Sequence, residues 1–78
     1  MYPSTDFPRL KSMVKVITYV HYNPYSNVQR ICKQCAISRA TFYRFLHALK
    51  DLKVKIEYIK GHEGYEITDY GIIDYHSL

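Results

Sequence analysis

Between residues 32 and 50 the chain reads CKQCAISRATFYRFLHALK, and most of the side chains with chemistry to offer are gathered there. Arg39 and Arg44 carry planar guanidinium forks that can bond two acceptors at once, Ser38 and Thr41 supply hydroxyls, and His47 and Lys50 add protonatable nitrogen. Spaced along one helix, such groups suit a polyanion that also presents acceptors, because a guanidinium can donate two parallel hydrogen bonds.

The cysteine pair Cys32-x-x-Cys35 invites another chemistry. Thiolates three residues apart on a helix share a face, as zinc or a redox couple would need. A structural zinc site usually takes four ligands, however, and no second Cys-x-x-Cys or His-x-x-x-His completes one. His21, His47, His62 and His76 are scattered singly. Both cysteines also fall at apolar positions of their helix, so they read as buried thiols, with no metal and no cofactor expected. Catalysis finds less support. His62-Glu63 lies in a glycine-bracketed loop, no serine or cysteine pairs with a base, and no glycine-rich phosphate loop follows a strand. The expectation is a protein that is not an enzyme.

The elements that must position these groups follow from periodicity. The stretch PRLKSMVKVITYVHY places Leu10, Met13, Val14, Ile17 and Val20 or His21 at helical spacing, giving a first helix over about residues 8–22, with Pro8 tolerable in the first turn. Pro24 then pushes Asn23 out of helical geometry, and Ser26 or Asn27 caps a second helix over about 27–35 with Val28, Ile31, Cys32 and Cys35 on one face. After a tight break at Ala36-Ile37, Ser38 caps a third helix over about 38–52, its inner face Phe42, Phe45 or Leu46, Leu49 and Leu52. From there the period changes to two. VKIEYIK sets Val54, Ile56 and Tyr58 against Lys55, Glu57 and Ile59, GHEG forms a loop whose two glycines supply positive φ, and YEIT completes a hairpin over about 54–68. Thr68 or Asp69 caps a last short helix over about 69–76. The expected architecture is one domain, mainly α with a small β-hairpin, in the order α-α-α-β-β-α.

Length and charge agree with that architecture. Seventy-eight residues, 47% hydrophobic with three glycines and three prolines, allow one small packed core. No apolar run approaches the roughly 18 residues of a membrane span, and a single pair of cysteines is not a secreted disulfide framework, so the expected location is the cytoplasm. All eleven Lys and Arg lie in residues 1–60 with three acids, a net +8, and residues 61–78 hold four acids and neither Lys nor Arg. A basic part of this kind fits a partner whose phosphates release counterions on binding.

The stretch IckqcaISRaTfYRfLhaLkdlkV resembles the winged helix-turn-helix pattern of prokaryotic repressors of the MarR and IclR kinds. Cys32 stands at the small position inside the first helix, Ile37 at the hydrophobic position after the turn, and Ser38 and Thr41 open the recognition helix. Y-x-I-T-x-x-G, Tyr65 to Gly71, resembles the exit from the wing, and Ala36 stands where a turn glycine is common. The resemblance covers about Arg9 to Ile73. It implies a sequence-specific double-stranded DNA-binding protein, a small prokaryotic or phage transcriptional regulator such as a repressor. Within it, residues 38–50 read the major groove through Ser38, Arg39, Ala40, Thr41, Tyr43, Arg44, His47 and Lys50. Ser26, Asn27 and Lys33 orient the backbone, while Lys55, Lys60 and His62 reach from the wing. A homodimer is expected, since paired modules read two half-sites. Tyr19, Tyr22, Tyr25, Tyr70 and Tyr75 are available for its interface or for finishing a monomer core. Two other uses of the same frame remain: a protein-interaction module, and an architectural or recombination accessory DNA-binding role.

Overall fold

The computed structural model describes residues 6–71, with side chains from Leu10 onward. The chain is mainly helical: α1 (Asp6–Tyr22), α2 (Val28–Cys35) and α3 (Arg39–Lys50) precede an antiparallel hairpin of β1 (Lys55–Ile59) and β2 (Gly64–Asp69). Of the expected last helix over 69–76, residues 72–76 lie outside the described residues. Within them Asp69 ends β2, and its carboxylate accepts the Gly71 N–H at 2.9 Å.

One core holds the elements together. Val16, Ile17 and Val20 of α1 meet Ile31, Cys32 and Cys35 of α2, Phe42, Phe45 and Leu49 of α3, and Val54, Ile56 and Ile67 from the hairpin region. Burying side chains of this kind stabilises by about 1.5–3 kcal/mol each. The inner face of α1 differs from the one its periodicity suggested. Leu10 and Val14 are half exposed, and Val16 is fully buried in their place. The run MVKVITYV has apolar residues on two overlapping helical stripes, and only contact with α2 and β2 decides between them.

Each helix boundary has a local cause. At the end of α1 the Asn23 N–H bonds the Tyr19 carbonyl at 2.8 Å, and Pro24 cannot continue the helix. Asn27, not Ser26, caps α2 by accepting the Arg30 N–H at 2.8 Å. Ala36 then turns left-handed, φ 57° and ψ 48°, and both its N–H and that of Ile37 close on the Cys32 carbonyl. Ser38 caps α3 by accepting the Thr41 N–H at 3.1 Å and donates to the Thr41 hydroxyl at 3.0 Å. α3 is shorter than expected. Residues 51–53 wind more tightly, and Lys53, at φ 60°, lets the Val54 N–H return to Leu49 and release the chain into β1.

The hairpin pairs Ile56 with Ile67, Glu57 with Glu66 and Tyr58 with Tyr65, with a slip between Lys55 and Ile56. Of the loop's expected positive φ values, Gly61 supplies one (104°), but Glu63 at 58° supplies the other in place of Gly64. Gly64 is required for space, since a Cβ there would fall on the Tyr25 carbonyl. That approach is part of a seam. The Tyr25 N–H donates to the Tyr65 carbonyl and the Tyr65 N–H to the Ser26 carbonyl, both at 2.8 Å, so the α1–α2 loop lies along β2 as a one-residue strand.

Candidate nucleic-acid interface

α2 and α3, joined by three residues, carry Arg30, Lys33, Arg39, Arg44 and Lys50, all exposed. From Phe7 to Lys50 the chain contains no Asp or Glu. Among the described residues none of these five cations forms an ion pair with a carboxylate. Two helices with five exposed cations and no acid of their own produce a positive field.

On α3 the inward direction is fixed by Phe42, Phe45 and Leu49. The 3.6-residue period then sends Ala40, Arg44 and His47 most directly outward and leaves Arg39, Tyr43 and Lys50 on a flank. Tyr43, His47 and Lys50 line a groove of about 480 Å³ against Lys55 and Glu57 of β1. Tyr43 is 44% exposed. Its ring stands edge-on to Phe42 at 5.3 Å, and its hydroxyl is hydrogen-bonded to Tyr65. Burial first, then that hydrogen bond, pushes the Tyr65 hydroxyl up to about 12. Thr41 and Ser38 are occupied in capping one another, and they fix the exposed N-terminus of α3.

At α2 the expected site residues separate. Asn27 and Lys33 are exposed, whereas Ser26 is 8% exposed and donates its hydroxyl to the Asn23 carbonyl at 2.7 Å. Ser26 is therefore a loop tie, its hydroxyl proton committed to the Asn23 carbonyl. Arg30, which the sequence reading passed over, lines a polar groove of about 400 Å³ with Asn27, Lys33 and Gln34. Its spacing of three from both Asn27 and Lys33 was the available signal.

The hairpin presents different chemistry. Lys55, Lys60 and His62 are exposed. His62 stacks on Tyr25 with ring centroids 4.0 Å apart and planes 16° from parallel. The Tyr58 hydroxyl donates to Glu63 at 3.1 Å, and Glu57 accepts from Thr68 at 3.1 Å. The hydrogen bond to Glu63, with lesser burial and charge effects, raises the Tyr58 hydroxyl. The hairpin thus mixes acids with its cations, Lys55 lying opposite Asp69 and Glu57 opposite Glu66.

Cys32 and Cys35 are buried free thiols. Burial raises Cys32, partly offset by Arg39; burial and then Cys32 raise Cys35, partly offset by Lys15. Both are held in the protonated form, which neither attacks nor ligates well. Among the described residues no group of three His, Cys, Asp or Glu side chains is placed to hold a metal ion, and no helix is long and apolar enough to cross a membrane. No family model, curated protein or solved structure matches the chain.

Proposed function

We propose that the chain is a winged helix-turn-helix protein that binds double-stranded DNA sequence-specifically, as a small transcriptional regulator. The observation that carries the reading is the acid-free, unpaired cationic surface of α2 and α3, with Arg44 and His47 at its outermost positions. In this reading α2 and α3 are the helix-turn-helix, and α3 lies in the major groove. Arg44 donates two bonds to a guanine edge, and Ala40 meets a thymine methyl. Arg30, Lys33, Asn27 and Lys50 hold phosphates on either side, with Arg39 at the helix entrance. A homodimer reads two half-sites about one helical turn apart.

The test separates base reading from phosphate contact. Arg44→Ala is expected to weaken binding to a selected site by roughly tenfold or more, and binding to random duplex much less. Lys33→Ala is expected to weaken both alike and to lower the salt slope by about one. Equal losses on all sequences from Arg44→Ala would remove the base-reading assignment. They would leave the architectural role, which the same surface also supports.

A further inference from the structure

Three of the exposed large apolar side chains lie on α1: Leu10, Val14 and Tyr22, at 55%, 48% and 61% exposure. Val14 and Tyr22 border a groove of about 400 Å³ between α1 and α2, completed by Thr18, Tyr19, Gln34 and Cys35. No residue of α3 or the hairpin contributes to it. Lys15 lines the same groove and Lys11 is exposed one turn before it, while Arg30 and Lys33 lie in the adjoining groove, which shares Tyr19 and Gln34. The lining is mostly apolar, and among the described residues the charged side chains in and next to it are all positive.

We infer that this groove docks an amphipathic helix of a partner protein whose apolar stripe is flanked by acids. Two neighbouring helices leave a channel that a third helix fills by ridge-into-groove packing. The apolar span from Leu10 to Tyr22 covers about 18 Å, enough for three turns with anchors at three- and four-residue spacing. The acids are required by charge complementarity. A bare apolar helix leaves Lys11 and Lys15 facing apolar surface, whereas carboxylates on its flanks meet ammonium groups that no residue of this surface neutralises. A second copy docked here through a two-fold contact would set Lys15 against Lys15 with no acid between them. A phosphate backbone would cover Val14 and Tyr22 without an apolar group to meet them. The inference does not depend on the DNA-binding reading.

The experiment is a titration of the isotope-labelled full chain, without DNA, followed by backbone amide shifts. The probe is a synthetic amphipathic helix of about 18 residues, roughly five turns, with a leucine stripe and glutamate flanks. Two controls replace every glutamate by lysine or every leucine by serine. The expected result is saturable shifts centred on Val14, Thr18, Tyr22 and Gln34 with the acidic leucine peptide alone. Lys15→Glu should weaken that binding at least about fivefold. Tight binding of the lysine peptide, shifts centred away from the groove, or no binding would overturn the inference. So would a concentration-dependent dimer abolished by Val14→Glu, which would give the face to a second copy, or shifts of the same amides on adding duplex DNA. Duplex affinity measured on Lys15→Glu separates this result from the DNA reading, since that variant is expected to keep Arg44-dependent site preference.

Discussion

The helices and the hairpin of this chain are built on opposite electrostatic plans. Residues 10–50 carry seven Lys and Arg and no acid, while residues 51–71 carry three Lys and five acids. In the helical part the cations are spaced outward and left unpaired. In the hairpin Glu57 faces Glu66 across the strands, Thr68 bonds Glu57, and Tyr58 bonds Glu63. Like charges directly opposite are mildly destabilising, and a polyanion gains little from meeting them. The two parts therefore differ in kind: the helices carry exposed, unpaired positive charge, and the hairpin braces them through aromatic contacts. Tyr65 is the centre of that brace, edge-on to Phe42 at 5.1 Å and to Tyr58 at 5.4 Å, bonded to Tyr43, and held by its backbone to Tyr25 and Ser26.

The largest expected effect tests the brace. Gly64→Ala would drive a Cβ into the Tyr25 carbonyl, opening the seam at a cost of about 3 kcal/mol. Chemical denaturation should show it as a lowered midpoint, and an unchanged midpoint would mean that the loop yields freely and the hairpin is not bolted on.

Next in size is the charge comparison itself. Reversing Arg30 or Lys33 to Glu is expected to cost about tenfold in duplex affinity at moderate salt, whereas Lys55→Ala and Lys60→Ala should stay within about threefold. Fluorescence anisotropy at two ionic strengths measures both, and equal losses from the two sets would erase the distinction between helices and hairpin.

A smaller effect has the opposite sign. Ala36 holds a left-handed backbone that costs an L-residue about 1–2 kcal/mol, so Ala36→Gly should stabilise by about 0.5–1 kcal/mol after the entropy cost of glycine. A raised melting temperature with unchanged DNA affinity is the expected outcome, and a lowered one would place the strain in the binding surface.

The smallest effect is on the alkaline side. Cys32, Cys35, Tyr58 and Tyr65 are all raised in the folded chain, so each favours folding while protonated. Above their ordinary values the unfolded chain loses these protons first. Stability is therefore expected to fall from about pH 9 upward and to continue falling toward pH 12 as Tyr65 ionises. Tyr65→Phe should flatten the upper part of that decline in a pH series of melting curves; an unchanged slope would detach Tyr65 from it.

Much of this arrangement was legible in the sequence wherever the signal was local. The change of period after Leu52, the Ser38 cap and the apolar face of α2 come from residues within a turn of each other. What could not be read depends on contacts between distant segments. Val16 rather than Leu10 faces inward because α2 and β2 cover that side. Ser26 is spent because Tyr65, thirty-nine positions away, fixes its loop. The link between the Tyr43 and Tyr65 hydroxyls joins positions twenty-two apart. The exposure of the cationic residues was legible, since exposure of charged side chains is the default and only their pairing had to be seen.

The proposal that the cationic face of α2 and α3 reads duplex DNA is open to selection from a randomised duplex pool by the purified chain, at two salt concentrations. The account predicts salt-sensitive binding with enrichment of one motif, arranged as two half-sites about one helical turn apart. Absence of binding at both salts would contradict it, and salt-sensitive binding without enrichment would contradict the claim that the face reads sequence.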